Sequence, residues 1–503
     1  MTKTVSGFLG QNQDSLKSQT FKLFVGKFVS LFFQMLTPVV LTRLLSRENY
    51  GLYQQILLLC TFVGPILIWG MNTSLYFFFP TAEHKVNQLL SQTLLFLVVT
   101  GTLFFPILVF GKGFFAKILS NQSFYEFIIP CALYIFFYIQ SDLIENLFVV
   151  EKKSNFVVTF LIVSSFLRAG FSIAAYLVFR SVAAQIWGLV IHLGLQTLFL
   201  WGYLLHHYRI RFDPFHWDKT YFRAQLRYAS PVGWSGLIGN IGVKIDKFIL
   251  SHFFSRTDFA VYSVAFFRVP FINILFPSIG NVIVPQIVRF GKDKNFSEAR
   301  RLWHKMILVF ALITIPFVFY SFFTAREMLV LLFSDKYLSS IGIYRLTLLT
   351  FFVQILARGT IITAFGETRY LFKVQLISTL TGSLLGYFLV KRFGIWGAAW
   401  TAVFIFYLSG WLQVYKSKKI LNLDFAAWLP WKDLGKIFAI SSLAVPVFFV
   451  FKWLALNRLL FLALTFLVYF LVIYRLYIHF GYTEFIDFVK NTLKTKTVAR
   501  KIP

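Results

Sequence analysis

The chain runs again and again for about 20 apolar residues before a short polar break, the length that crosses a bilayer as a helix. Hydrocarbon offers backbone N–H and C=O groups no partner, so such a run satisfies them internally by coiling into a helix. About fourteen such stretches are predicted, at 21–41, 52–79, 88–110, 124–149, 156–179, 183–205, 229–252, 259–288, 306–324, 342–365, 371–390, 394–415, 434–456 and 459–479. Lys391 and Arg392 part the two that lie closest together. Only 14% of the residues are charged and 58% are hydrophobic, against about 25% charge in ordinary soluble proteins. One soluble core cannot hide that much apolar surface. The expectation is an all-α polytopic membrane protein, its outer faces against membrane lipids.

The net charge of +29 raises nucleic acid as a partner. The basic residues argue against it, because they sit in short loops between apolar runs. Alternate loops carry more than twice the Lys and Arg of the others, which by the positive-inside rule puts both termini in the cytoplasm. The basic run Lys416–Lys419 reads as a topology signal at the headgroups. Cys60 and Cys131 lie within apolar runs and read as small buried hydrophobes. His206, His207 and His216 lack metal-ligand spacing, so neither metal nor cofactor is expected. The aromatic clusters Tyr76–Phe79 and Phe136–Tyr138 read as lipid-facing or core. The longest polar stretch, from His206 to Tyr228, is too short to fold alone, which speaks against catalysis in a soluble domain.

The chain repeats itself at an offset of 209. Leu41–Tyr53 reads LTRLLSRENYGLY and Leu250–Tyr262 reads LSHFFSRTDFAVY, with Leu41/Leu250, Ser46/Ser255, Arg47/Arg256 and Tyr53/Tyr262 identical. At the same offset Ile186-Trp187-Gly188 matches Ile395-Trp396-Gly397. The offset encloses six spans, an even number, so the halves share one orientation and form parallel repeats. This divides the chain into six-helix bundles at 1–209 and 210–420 and a remainder, 421–503, of two further helices and a basic cytoplasmic tail. Paired bundles of this kind enclose a central cavity and rock about it.

The residues Arg43–Tyr53 (RLLSRENYGLY), Lys244–Leu250 (KIDKFIL) and Gly394–Ala399 (GIWGAA) resemble motifs of the multidrug, oligosaccharidyl-lipid and polysaccharide exporter superfamily, most of all its polysaccharide-transport branch, the O-antigen and capsule repeat-unit flippases. The second copy departs from the first at Ala260, opposite Gly51, and at His252, opposite Arg43. The resemblance implies twelve helices in two bundles arranged as a V, plus two peripheral helices. It also implies alternating access, a polyprenyl-diphosphate-linked oligosaccharide as substrate, a bacterial inner or plasma membrane as location, and a polysaccharide polymerase as possible partner.

Ionisable side chains at membrane depth are costly and face a cavity or a partner. Those here are Lys27, Asp142, Glu145, Arg168, Lys244, Asp246, Lys247, Arg268, Arg345 and Arg358. Bases outnumber acids, and an anionic diphosphate would use that excess, since Arg donates to phosphate oxygens as a fork and Lys adds a point charge. Lys27, Arg168, Lys244, Arg268 and Arg358 are therefore the expected substrate contacts. Arg345 and Arg358, near opposite ends of one span, are expected to snorkel, which for Arg358 is the alternative to substrate contact, and Asp246 with Lys247 to anchor at the interface as an alternative role. Arg268 precedes Pro270 in a span that also holds Pro277 and Pro285, where proline loosens the helical ladder. Asp142, Glu145 and Asp246 could couple transport to an ion gradient or simply pair with bases.

These readings favour a flippase without covalent chemistry over two alternatives. A multidrug or peptidoglycan-precursor exporter of the same fold is the first, although a drug exporter would call for acids. A membrane-embedded polymerase or ligase is the second, and it would use a larger outer loop than Ala325–Ile341. No G-x-x-x-x-G-K-[ST] loop for an ATP-driven pump is present in the sequence.

Overall fold

The computed structural model describes residues 26–82, 85–208, 210, 218–267, 271–293, 295–454 and 456–482. Among the described residues there are helices and no strands, as the bilayer argument requires. Eleven of the helices are long and apolar enough to cross a membrane.

One compact unit runs up to Ile274 and includes Gln375–Ala402. Its helices are α1 (Gly26–Leu44), α2 (Arg47–Ile68), α3 (Met71–Phe78), α4 (Val86–Phe110), α5 (Lys112–Ile118), α6 (Ile128–Val150), α7 (Ser154–Phe179), α8 (Val182–His207), α9 (Lys219–Phe253) and α10 (Arg256–Ala265). The second unit comprises Leu275–Val374 and the chain from Val403 onward. There Trp303, Phe310 and Tyr469 are fully buried. The two C-terminal helical stretches, from Trp431 and from Arg458, pack on the Phe296–Phe323 helix. Tyr477 adds a hydroxyl bond of 2.9 Å to the carbonyl of Leu312.

Several predicted spans are interrupted, each for a visible backbone reason. The 52–79 stretch is α2 and α3, broken where Trp69 (φ 50°) and Gly70 (φ 76°) turn left-handed. The 342–365 stretch is three short helices, the last two parted where Ala357 (φ 46°) and Gly359 (φ 80°) turn left-handed. The 434–456 stretch stops at Leu443 and restarts at Pro446, whose ring suits the first turn of a helix. The stretches 371–390 and 394–415 are two helices within Thr368–Ile420, parted by a kink at Gly394 (φ 58°, ψ −133°), a conformation closed to residues with a Cβ. α9 begins earlier than the predicted 229, because the Asp218 carboxylate accepts the Tyr221 N–H at 2.9 Å and caps it.

The internal repeat has a physical meaning. Ser46 caps α2 and Ser255 caps α10 with nearly the same backbone, φ −65° and ψ 159° against φ −69° and ψ 160°. The two copies then pack on each other, α2 against α10. At that crossing a Cβ on Gly51 would lie only 2.6 Å from the Arg256 carbonyl carbon and closer still to its oxygen. The second copy carries Ala260 at the equivalent place, fully buried. The Ile-Trp-Gly pair behaves alike: Gly188 abuts the Phe171 carbonyl and Gly397 that of Leu389, while Trp187 and Trp396 are exposed.

Polar side chains fasten α9 to its neighbours. Near its start, Gln225 donates to Ser74 at 2.9 Å and to Thr93 at 2.8 Å. Near its end, Gln55 donates to Ser251 at 2.9 Å and accepts from Asn121 at 3.0 Å. Arg256 completes this network, donating to Asn121 at 2.6 Å and Ser123 at 2.9 Å and pairing with Glu48 at 3.4 Å.

Candidate substrate site

Polar residues at helical spacing converge inside the first unit. α6 supplies Ser141, Asp142 and Glu145, and α7 supplies Ser164, Ser165 and Arg168. α8 supplies His192 and Gln196, and α1 supplies Ser30 and Gln34. Positions three and four apart share one helix face, so each helix turns a polar stripe inward. Together with Tyr134 and Tyr138 the stripes line a cavity of about 250 Å³.

The charges in it are placed unequally. Lys27 binds Glu145 at 2.8 Å. Asp142 accepts from Asn72 at 2.8 Å. Arg168 has neither acid as partner, and among the described residues no acceptor lies within hydrogen-bond distance of its guanidinium. Ser30 and Ser165 bond across α1 and α7 at 2.5 Å, and Gln34 donates to Ser30 at 3.1 Å. Gln196 donates to Ser164 at 2.5 Å and to His192 Nε2 at 3.1 Å. His192 Nε2 therefore acts as acceptor, and its ring proton sits on Nδ1. That nitrogen is buried without a partner among the described residues, in a residue only 3% exposed. A cavity of this kind offers anionic or hydroxyl-rich ligands a guanidinium and amide and hydroxyl groups in place of water.

Of the predicted site residues, Lys27, Asp142, Glu145 and Arg168 are brought together here. Lys244 lies elsewhere in the same unit and donates to Thr61 at 3.1 Å. Asp246 is 3% exposed and accepts from the Tyr262 hydroxyl, an internal partner rather than an interfacial anchor. Lys247 lies 6.0 Å from the Phe266 ring centroid. In the second unit, Arg358 stacks 4.9 Å from the Phe406 ring, and Arg345 lies 5.0 Å from Phe322 while donating to its carbonyl at 3.0 Å. Arg268 lies outside the described residues. Sequence reading passed over His192, Gln196 and the serines, although the spacings Ser164–Arg168 and His192–Gln196 carried the signal. It also read Tyr138 as core or lipid-facing, whereas it lines the cavity.

Apolar membrane-length helices around a polar, charged cavity define a multi-pass membrane protein of transporter fold. Lipid II flippase MurJ, in an inward closed conformation, is similar in fold, with a TM-score of 0.68 at 14% identity over 94% of this chain and 99% of that one. The chain belongs to the polysaccharide biosynthesis protein family, whose model matches residues 40–342. A putative O-antigen transporter of Shigella flexneri is 24% identical over 376 residues, 71% of this chain and 87% of that protein. The capsular polysaccharide biosynthesis protein CapF of Staphylococcus aureus is 24% identical over 203 residues, 40% of this chain and half of that protein's length.

Proposed function

We propose that the chain is a flippase that carries a polyprenyl-diphosphate-linked oligosaccharide from the cytoplasmic to the outer leaflet for surface polysaccharide assembly. The observation that carries this reading is the cavity at membrane depth whose Arg168 lacks a partner among the described residues. A charge taken out of bulk water without a partner costs free energy, and a phosphoryl group returns it through forked hydrogen bonds. Membership of the polysaccharide biosynthesis family and the names of its relatives support the substrate class.

In this reading Arg168 meets the phosphoryl oxygens, and the serines, Gln34 and Gln196 take hydroxyl groups of the sugar. Lys27 holds Glu145 and tunes the charge of the site. Lys244 and Arg358, outside this cavity, and Arg268 serve as further cationic contacts, and Asp142, Glu145 and Asp246 remain the acids available for ion coupling. The chain crosses the inner membrane fourteen times with both termini cytoplasmic. Segments 1–209 and 210–420 rock about the substrate, 421–503 flanks them, and a polymerase consumes the product outside. Transport needs no bond made or broken, so the chain is no enzyme.

The test is deletion of the gene, with complementation by the intact chain or by Arg168→Ala at equal protein levels. Surface polysaccharide is assayed together with polyprenyl-linked intermediates. Loss of polymer with repeat units trapped on the cytoplasmic face, restored by the intact chain and not by Arg168→Ala, is the expected result. Unchanged polymer with new drug sensitivity would make the chain an exporter of drugs. Repeat units that cross and stay unpolymerised would return the enzyme alternative.

A further inference from the structure

A second cavity, of about 240 Å³, lies beside the first, between α7 and α8. It shares Phe160, Ser164, His192 and Gln196 with the polar cavity, and its remaining lining is apolar: Val163, Leu167, Leu195 and Phe199. These four are 39% to 49% exposed, on helices long and apolar enough to cross a membrane, so the groove opens on an exposed apolar face. Polar and apolar spaces thus meet at one wall, the hydrogen-bonded trio Ser164, His192 and Gln196. Two groups at this junction lack partners among the described residues: the Arg168 guanidinium and the buried His192 Nδ1. An amphiphile matches both features, with acceptor oxygens for the nitrogens and hydrocarbon for the groove.

We infer that the α7–α8 groove seats the isoprenoid chain of the lipid substrate while its phosphoryl head lies at Arg168, so that head and chain part at the Ser164–His192–Gln196 wall. This rests on the flippase reading for the identity of the lipid. The groove, rather than a gap between the repeated halves, is then the way the chain stays in the bilayer while the head is sheltered. The occupant is the isoprenoid and not a bilayer phospholipid, because the head position beside it is the one assigned to the substrate diphosphate.

The test uses the full chain in phosphatidylcholine nanodiscs, titrated with farnesyl diphosphate, inorganic diphosphate and farnesol. Farnesyl diphosphate is expected to bind at least about ten-fold more tightly than inorganic diphosphate. Leu195→Trp and, separately, Val163→Trp fill the groove and should erase that advantage while leaving inorganic diphosphate binding unchanged. Leu198→Trp, on the same helix and 65% exposed but outside the groove, should leave all three probes unchanged. Arg168→Ala should weaken both diphosphates and spare farnesol. Equal binding of the two diphosphates overturns the inference, as does an advantage that survives both groove-filling variants. Competition by phosphatidylglycerol as effective as farnesyl diphosphate would overturn the isoprenoid assignment. If neither diphosphate binds but farnesol does so in a Leu195-dependent way, the groove stands and the reading of Arg168 falls.

Discussion

Gly51→Ala looks conservative, since the repeat itself carries Ala260 at the equivalent place, yet the structure makes it severe. The new methyl would lie 2.6 Å from the Arg256 carbonyl carbon and inside contact of its oxygen, where carbon contacts prefer about 3.5–4.0 Å. The obstacle is backbone, so no side chain can swing aside, and α2 and α10 must separate by roughly 1 Å. Overpacking of this kind costs about 1–3 kcal/mol. The residue pushed is Arg256, whose bonds to Asn121 at 2.6 Å and Ser123 at 2.9 Å would stretch out of range, and each bond to a charged group contributes about 1.5–3 kcal/mol. A loss of about 3 kcal/mol follows from overpacking and one such bond. Ala260→Gly creates no clash and should cost about 1 kcal/mol through helix propensity. The assay is thermal unfolding of the purified chain followed by intrinsic fluorescence. Gly51→Ala should melt several degrees below wild type and clearly below Ala260→Gly. A Gly51→Ala protein melting with wild type would show that the two copies do not pack as described.

Gln55→Leu removes a buried amide that serves both Ser251 and Asn121; the Asn121 amide N–H loses this acceptor while its oxygen keeps Arg256, which should cost about 1–3 kcal/mol, read from the same melting assay. Lys27→Glu places a second carboxylate beside Glu145 and should lower folded yield, and Lys27→Glu with Glu145→Lys should restore it, whereas two independent losses would refute the 2.8 Å pair. The Tyr221 N–H and then the Lys85 ammonium hold the Asp218 carboxyl below the usual carboxylate range. Its contribution to stability is thus complete above the unfolded-state value and is lost as pH falls through the lower folded value. Asp218→Asn should therefore melt below wild type near neutrality, with the gap closing in acid, and a gap that persists there would refute the assignment.

Much of this architecture could be read from the chain because lipid makes one rule dominate: an apolar run must be helical. What the rule does not fix is where a helix breaks, and there local backbone chemistry decided. Trp69 in a left-handed conformation is invisible in an apolar run, whereas the bend at Gly394 falls two residues past Arg392, where the charges put the break. Burial was equally hidden. Asp246 stands next to Lys247 in the chain and so read as an interfacial pair, but the Tyr262 hydroxyl from α10 reaches it across the packing. The cavity was half legible: its charges stood out as costly, while serines and a histidine at the same helical spacing carried too little hydropathy signal to be noticed singly.

The fate of the intramembrane cations separates structure from function more sharply than their number does. Arg358 and Arg345 lie on the rings of Phe406 and Phe322 and Lys247 near that of Phe266, where cation–π attraction from this chain's own aromatic rings offsets part of their desolvation. Lys27 is neutralised by Glu145 and Lys244 finds the Thr61 hydroxyl. Among the described site cations, Arg168 has neither ring stack, acid nor hydrogen-bond acceptor among the described residues, though Asp142 and Glu145 line the same cavity. Both acids are held by other groups, Asn72 and Lys27, and are thereby kept from collapsing onto the guanidinium. An arginine that the surrounding fold actively leaves unpaired has the free energy of its missing partner available to a ligand, which is why the strongest substrate contact is assigned to it rather than to cations whose charge the fold has already answered.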